Sequence, residues 1–369
     1  MAEVLTLTDL QRETFLALVC QGIGHKVPET ALTPDWSSIY ALASQQGLSA
    51  VVMDGVDALL QAGRLPEVQA MDTSLRGKWI AEVVLGHEQV YEDYCKAIGS
   101  LAGFYNAHGL RMMVLKGYAC SLAWPRPDHR PCGDIDIWQF GGYEKGDALI
   151  GSLQGIRVDT SHHHHTVFAW KGYSVENHYD FINVHHQKSN VELEGIFKEL
   201  GRDDTYSVDV CGEKVYLPSP NLHALFLLKH AMAHFAADKM TLRQLLDFAF
   251  HVQKQGTGID WKWLLGVLDR FGMMPAFSAF AAIIVEDLGF DKALFPDVSC
   301  EGNLKRRVLS EILSPEFQEH EPAGLFPRML FKYRRWRVNG WKHKLCYRES
   351  MWSAFWSGLW NHLLKPSSI

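Results

Sequence analysis

Residues 115–138 read LKGYACSLAWPRPDHRPCGDIDIW, and the end of this stretch decides the fold. Asp134, Ile135, Asp136, Ile137 and Trp138 alternate acidic with apolar side chains and lead into Gln139 and Phe140, the period-two pattern of a strand. On such a strand Ile135 and Ile137 face a core, and the Asp134 and Asp136 carboxylates leave the opposite face together. Two carboxylates so close repel each other unless something sits between them. A hard divalent cation with oxygen ligands, such as Mg2+, does this best. Just upstream, residues 110–115 (LRMMVL) predict a short apolar strand that gives way to a helix start at Lys116-Gly117-Tyr118. Bare backbone with a lysine alongside suits a phosphate group.

Working outward, residues 143–153 predict a helix, and 156–159, 166–170 and 173–181 predict strands. Lys171-Gly172 is the hairpin turn between the last two. A strand over 214–217 closes the sheet region. Residues 1–100 read as helical, with apolar faces at Leu7, Leu10, Phe15, Leu16, Leu18 and Val19, and again from Trp79 through Val83, Tyr94 and Ile98. Pro28, Pro34 and Pro66 punctuate them, and Thr33-Pro34-Asp35-Trp36 predicts a helix start with Thr33 as cap. Beyond Ser219-Pro220 the chain turns helical again, with further helices over 241–252, 261–271 and 277–288. The expected class is α+β: a small mixed β-sheet core over 101–218, between a helical N-terminal region (1–100) and a helical C-terminal region (219–369).

The 369 residues are 47% hydrophobic and 21% charged, which excludes a disordered chain and allows a large core. With 36 basic and 42 acidic residues the net charge is −6, so no global attraction to nucleic acid or anionic lipid is expected. No apolar run is long enough to span a membrane, and the N-terminus lacks the basic start of a secretory signal. Seven widely spaced cysteines without a CxxC pair read as reduced thiols, and the expected location is cytoplasmic.

Leu115-Lys116-Gly117, Trp124-Pro125, Arg130, Asp134-Ile135-Asp136 and the later Glu176-Asn177-His178 together resemble the bacterial uncharacterised nucleotidyltransferase family, within the polymerase-beta-like nucleotidyltransferase superfamily. The likeness covers about residues 80–255. It implies an α+β nucleotidyltransferase core that moves a nucleoside monophosphate from an NTP, ATP first among them, to a hydroxyl or phosphate. The acceptor could be a small molecule, a tRNA or a protein. Asp134, Asp136 and Glu176 would then be the catalytic carboxylates and the ligands of Mg2+, with two ions during catalysis. Glu176 would also align or act as the general base, its rivals being Asp159, Asp180, Glu192 and Glu194. Lys116, Gly117, Tyr118, Arg130 and His178 would bind the nucleotide. Tyr118 stands where the superfamily has a small residue, which hands part of the triphosphate contact to Lys116 and Arg130.

Other signals have blander explanations. His162, His163, His164 and His165 could be a solvent-facing loop, substrate-side lining or, with His178, His185 and His186, a zinc hydrolase site with Glu176 as base; no HExxH motif supports that last option. A protein that binds nucleotide on the same fold without turnover is a further alternative. His230 and His234 share a helical face, as do Arg243 and Asp247, which read as a helix ion pair. Residues 326–348 hold eight basic residues and no acidic one, with Phe331, Tyr333, Trp336, Trp341 and Tyr347 interleaved among the basic residues. Such a segment can contact nucleic acid, a membrane surface or the acidic body of the chain itself. Trp352, Trp356 and Trp360 then form a helical stripe.

Overall fold

A computed structural model describes residues 8–26, 34–63, 71–185, 187–237, 239–319 and 321–350. The tryptophan stripe, Thr33, Pro28, Pro66 and His186 lie outside them.

Thr8 caps α1 (Asp9–Gly22) through a reciprocal capping box with Gln11, and α2 (Trp36–Gln46) and α3 (Ser49–Gln61) pack beside it. Helix α2 begins at Trp36 with Asp35 at the cap position, so Pro34 precedes the helix rather than opening its first turn. Helix α4 (Thr73–Val83) runs through a π-turn at Val84–Glu88 into α5 (Gln89–Ala107). Val83 is buried and Val84 is exposed, as neighbours about 100° apart on a helix can be.

Six strands form one mixed sheet: β1 (Met113–Val114), β2 (Ile135–Trp138), β3 (His165–Trp170), β4 (Tyr173–His178), β5 (Ser207–Val210) and β6 (Glu213–Tyr216), in the order β3-β4-β2-β1-β6-β5. Strand β2 lies parallel to β4, β1 lies parallel to β6, and the other pairs are antiparallel. Lys171-Gly172 and Cys211-Gly212 each carry two positive φ angles, the backbone that a tight hairpin demands. The strand expected over 156–159 is reduced to a single bridge between Asp159 and Val167 at the sheet edge. Helix α7 (Tyr143–Gly151) follows β2 where a helix was expected over 143–153, whereas strand β5 and helix α8 (Lys188–Arg202) were not anticipated.

Alternation along β2 sorts its side chains as the pattern requires. Ile135 and Ile137 are fully buried against Tyr94, Ile98, Leu101 and Tyr105 of α5. Such burial contributes about 1.5–3 kcal/mol for each isoleucine. On the other face Trp138 packs into a larger core with Phe181, Phe197 and Phe226, which also takes in α1–α3 and the C-terminal helices α9 (Pro220–Ala237), α10 (Leu242–Gln255), α11 (Trp261–Arg270) and α12 (Met274–Ala282). Helix α13 (Gly302–Leu313) joins the same core, and α15 (Gly340–Cys346) is tied to it by a buried Lys342–Glu311 pair at 2.8 Å. Helix α14 (Leu325–Val338) is far less covered: Phe331 is buried, whereas Phe326 is 78% exposed. No helix of the described residues is long and apolar enough to cross a membrane.

Candidate functional site

On the face of the sheet opposite α5, a cavity of about 1460 Å3 opens between β2, β4, α9, the start of α10, and α14. Lys116, Gly117, Arg130, Asp134, Asp136, Glu176 and His178 all line it. Tyr118 does not: its ring is buried on the α5 side of the sheet and stacks on Tyr91 with centroids 6.4 Å apart.

Register brings the acids together. Asp136 on β2 stands directly opposite Glu176 on the parallel strand β4, so the two carboxylates leave the same face. Donor atoms of Asp136, Glu176 and His178 all lie within 4.8 Å of one another. Lys116 Nζ is 2.6 Å from Asp136 Oδ1, and His178 Nε2 is 3.2 Å from the same oxygen and 3.4 Å from Glu176 Oε2. Burial alone would raise the Asp136 carboxyl; the Lys116 ammonium and the His178 hydrogen bond overcome it and hold the group well below the ordinary carboxylate range. For His178, burial opposes the proton and the Asp136 and Glu176 carboxylates win, so its pKa is raised. The His178 hydrogen bond likewise lowers Glu176. Asp134, exposed just before β2, stands outside that close group, yet partial desolvation and then the charges of Glu176 and Asp136 raise it.

None of the four rival acids lines the cavity. Asp180 pairs with Lys198 and Glu192 with Arg270. Glu194, pushed up to about 7 by burial, accepts the Phe181 and Ile182 amides at 3.0 and 3.1 Å. Asp159 sits at the sheet edge.

Gly117 occupies a left-handed backbone position (φ 56°) at the start of the one-turn helix α6 (Tyr118–Ser121). A Cβ there would lie 2.1 Å from the Tyr94 hydroxyl, which itself donates to the Asp134 carbonyl at 2.9 Å. Glycine is therefore required for the loop to approach α5 and hold Asp134 in place.

Arg130 is already committed. Its Nε and Nη2 donate to Asp247 Oδ1 and Oδ2 at 2.8 and 2.9 Å, and Trp124 Nε1 donates to the same carboxylate at 2.9 Å, all of it buried. The loop that carries Asp134 is thus braced onto α10. Asp247 is accordingly the partner of Arg130, not of Arg243 four residues before it. Arg243 instead lines the cavity, gives Nη1 to the Pro131 carbonyl at 3.2 Å, and has a buried Nε without a hydrogen-bond partner. No local pattern could have shown this, because Arg130 and Asp247 are 117 residues apart.

The far wall holds groups that the sequence places on helices packing beside the site, with a contact role open for His230 or Lys229. His230 and His234 stack edge to face at 4.4 Å. Lys229, pushed down to about 8 by burial, lies 4.4 Å from the centre of the Tyr347 ring. The basic and aromatic segment over 326–348 also borders the cavity, through Arg328, Lys332, Tyr333, Arg335 and Trp336 of α14. The histidine run is partly internal: His164 lines the cavity and His165 is buried. Burial pushes His164 down to about 2 and His165 down to about 4.

The donor set suits a hard divalent cation, since the Asp136 and Glu176 oxygens converge with Asp134 alongside. The Lys116 ammonium now neutralises Asp136 in the way such a cation would. No curated protein and no solved structure matches the chain. A family model described as uncharacterised nucleotidyltransferase matches residues 33–288, a span wider than the likeness read from the motifs, which takes in α2–α12 and leaves out α13–α15. The chain with its facing Asp136 and Glu176 therefore belongs to the uncharacterised nucleotidyltransferase family.

Proposed function

We propose that the protein transfers a nucleoside monophosphate from an NTP, with ATP the first candidate, to a hydroxyl or phosphate acceptor. The bond from the α-phosphorus to pyrophosphate breaks, a bond to the acceptor oxygen forms, and the acceptor proton passes to a carboxylate. The observation that carries this reading is Asp136 facing Glu176 across β2 and β4 on the wall of a cavity that also holds Lys116 and Arg243.

Asp134, Asp136 and Glu176 are the residues that would hold Mg2+, as one ion or two. When bound, Mg2+ neutralises phosphate charge and stabilises the attacking and leaving oxygens. Glu176, kept ionised by His178, is suited to receive the acceptor proton. Lys116 is 20% exposed at its side chain and can exchange Asp136 for a phosphate oxygen. Arg243, with its unpaired buried Nε, suits the triphosphate better than the committed Arg130. Across the cavity, Lys332 and Arg335 beside Tyr333 and Trp336 suit an acceptor that itself carries phosphate. Nucleotide binding without turnover is the second reading, favoured by the Lys116 ammonium already resting on Asp136.

The test is incubation of the protein with α-labelled ATP, Mg2+ and pooled small-molecule, tRNA and protein acceptors. Label entering one pool with the wild type and none with Asp136→Asn supports transfer. Nucleotide binding with no label in any pool establishes the second reading, and neither binding nor label refutes both.

A further inference from the structure

Beside the carboxylates lies a second group of a different chemical kind. His165 on β3 and His178 on β4 are directly opposed across an antiparallel pair, so their rings leave the same face. His164 immediately precedes β3 and adds a third ring. One ring nitrogen from each of His164, His165 and His178 lies within 4.8 Å of the other two. The ring centres are 4.3 Å apart for His164 and His165, 5.2 Å for His165 and His178, and 5.5 Å for His164 and His178. His165 is only 7% exposed, and the Nδ1 atoms of both His164 and His165 are buried with no hydrogen-bond partner. A buried polar atom without a partner is costly and calls for an explanation.

We propose that His164, His165 and His178 form a binding site for a borderline transition-metal ion, Zn2+ being the representative, next to the carboxylate site. Three imidazoles within reach of one another are the donor set that Zn2+ takes in open sites, whereas Mg2+ prefers oxygen. His164 and His178 both line the cavity, so an ion held by them would be reached from it. Zn2+ bound there would take the place of the His178 proton and keep a positive charge beside Asp136 and Glu176, which His178 Nε2 now approaches at 3.2 and 3.4 Å. The site stands on the imidazole geometry and does not depend on nucleotide transfer.

The experiment is a titration of chelator-stripped protein with Co2+ alone, followed by visible absorption and then by displacement with Zn2+. One Co2+ per chain with an intense tetrahedral-type band, displaced by stoichiometric Zn2+ and not by excess Mg2+, is expected. His164→Gln and His165→Gln should each weaken Co2+ at least about tenfold, the lower end of what loss of even a supporting group does. Asp134→Asn, which removes none of the three nitrogens and stands outside the close group, should keep the band. Circular dichroism checks each variant; His164 lies outside the strands, so His164→Gln decides the matter if His165→Gln unfolds. No Co2+ binding by the wild type, displacement by Mg2+, unchanged affinity in His164→Gln, or loss of the band in Asp134→Asn overturns the site. A protein that binds Co2+ here but no NTP keeps this site and loses the transferase reading; the converse result does the opposite.

Discussion

Arg130→Met separates a brace from a phosphate ligand. In the fold the Asp247 carboxylate receives two bonds from Arg130 and one from Trp124, with the Arg130 and Asp247 side chains 6% and 5% exposed. Removing Arg130 leaves a buried carboxylate with one indole N–H as its partner. Breaking a buried pair from one side costs about 3–5 kcal/mol, because the remaining charge stays desolvated. That is roughly two to three and a half powers of ten in the folding equilibrium. Removing both charges with Arg130→Met and Asp247→Leu leaves the Trp124 N–H unpaired, a cost of about 1–3 kcal/mol, and takes from Arg243 a neighbouring negative charge but also the Arg130 cation that opposed it. The double variant should therefore be more stable than Arg130→Met alone. Urea unfolding of the wild type, both single variants and the double variant closes the cycle, with NTP affinity measured on each under folding conditions. If Arg130→Met costs less than about 1 kcal/mol while NTP affinity collapses, Arg130 is a free phosphate ligand and the brace is wrong.

Gly117→Ala should lower stability by at least about 1–3 kcal/mol, since it combines a left-handed backbone with a Cβ 2.1 Å from the Tyr94 hydroxyl. Adding Tyr94→Phe should recover part of that loss in thermal unfolding, and no recovery would disprove the contact. Lys116→Met should weaken NTP binding about 10–100-fold, the worth of one charge-assisted hydrogen bond, as read by calorimetry; unchanged affinity would remove Lys116 from the nucleotide contacts. His251, pushed down from 6.5 to about 4 chiefly by burial, stays neutral in the fold after the unfolded chain has taken up its proton. The unfolded state binds more protons in that window, so stability falls as pH drops from about 6.5 through about 4, by about 3 kcal/mol in total. His251→Gln should flatten this part of the pH dependence in urea unfolding, and an identical slope would place the effect elsewhere.

The acid–apolar alternation of 134–138 and the Lys-Gly step were enough to find the central strand, its buried face and Lys116, Gly117, Asp134 and Asp136 on the cavity wall. The hairpin at Lys171-Gly172 was legible because its positive φ angles demand such residues. Helix α8 escaped the sequence reading although Leu193, Ile196, Phe197 and Leu200 stand at helical spacing, because its many charged residues masked the stripe. Other features depend on tertiary partners. Arg243 and Asp247 have helix ion-pair spacing, and only the fold reveals that Asp247 answers Arg130 instead. Tyr118 follows the loop glycine, yet the one-turn helix swings its ring through to the α5 side. The four histidines look like a solvated run, and only the pairing of β3 with β4 sets His165 against His178. Basic residues of α14 are far from the sheet in sequence, and only the fold brings Arg328, Lys332 and Arg335 to the cavity.

The most direct test needs no knowledge of the acceptor: calorimetric titration with a non-hydrolysable ATP analogue, with Mg2+ and with chelator, on the wild type and on Glu176→Gln. Facing carboxylates that hold a metal–nucleotide complex predict tight binding only with Mg2+, weakened at least about tenfold by Glu176→Gln, a variant that unfolds like the wild type. Binding that ignores both Mg2+ and Glu176, or no binding at all, would contradict it.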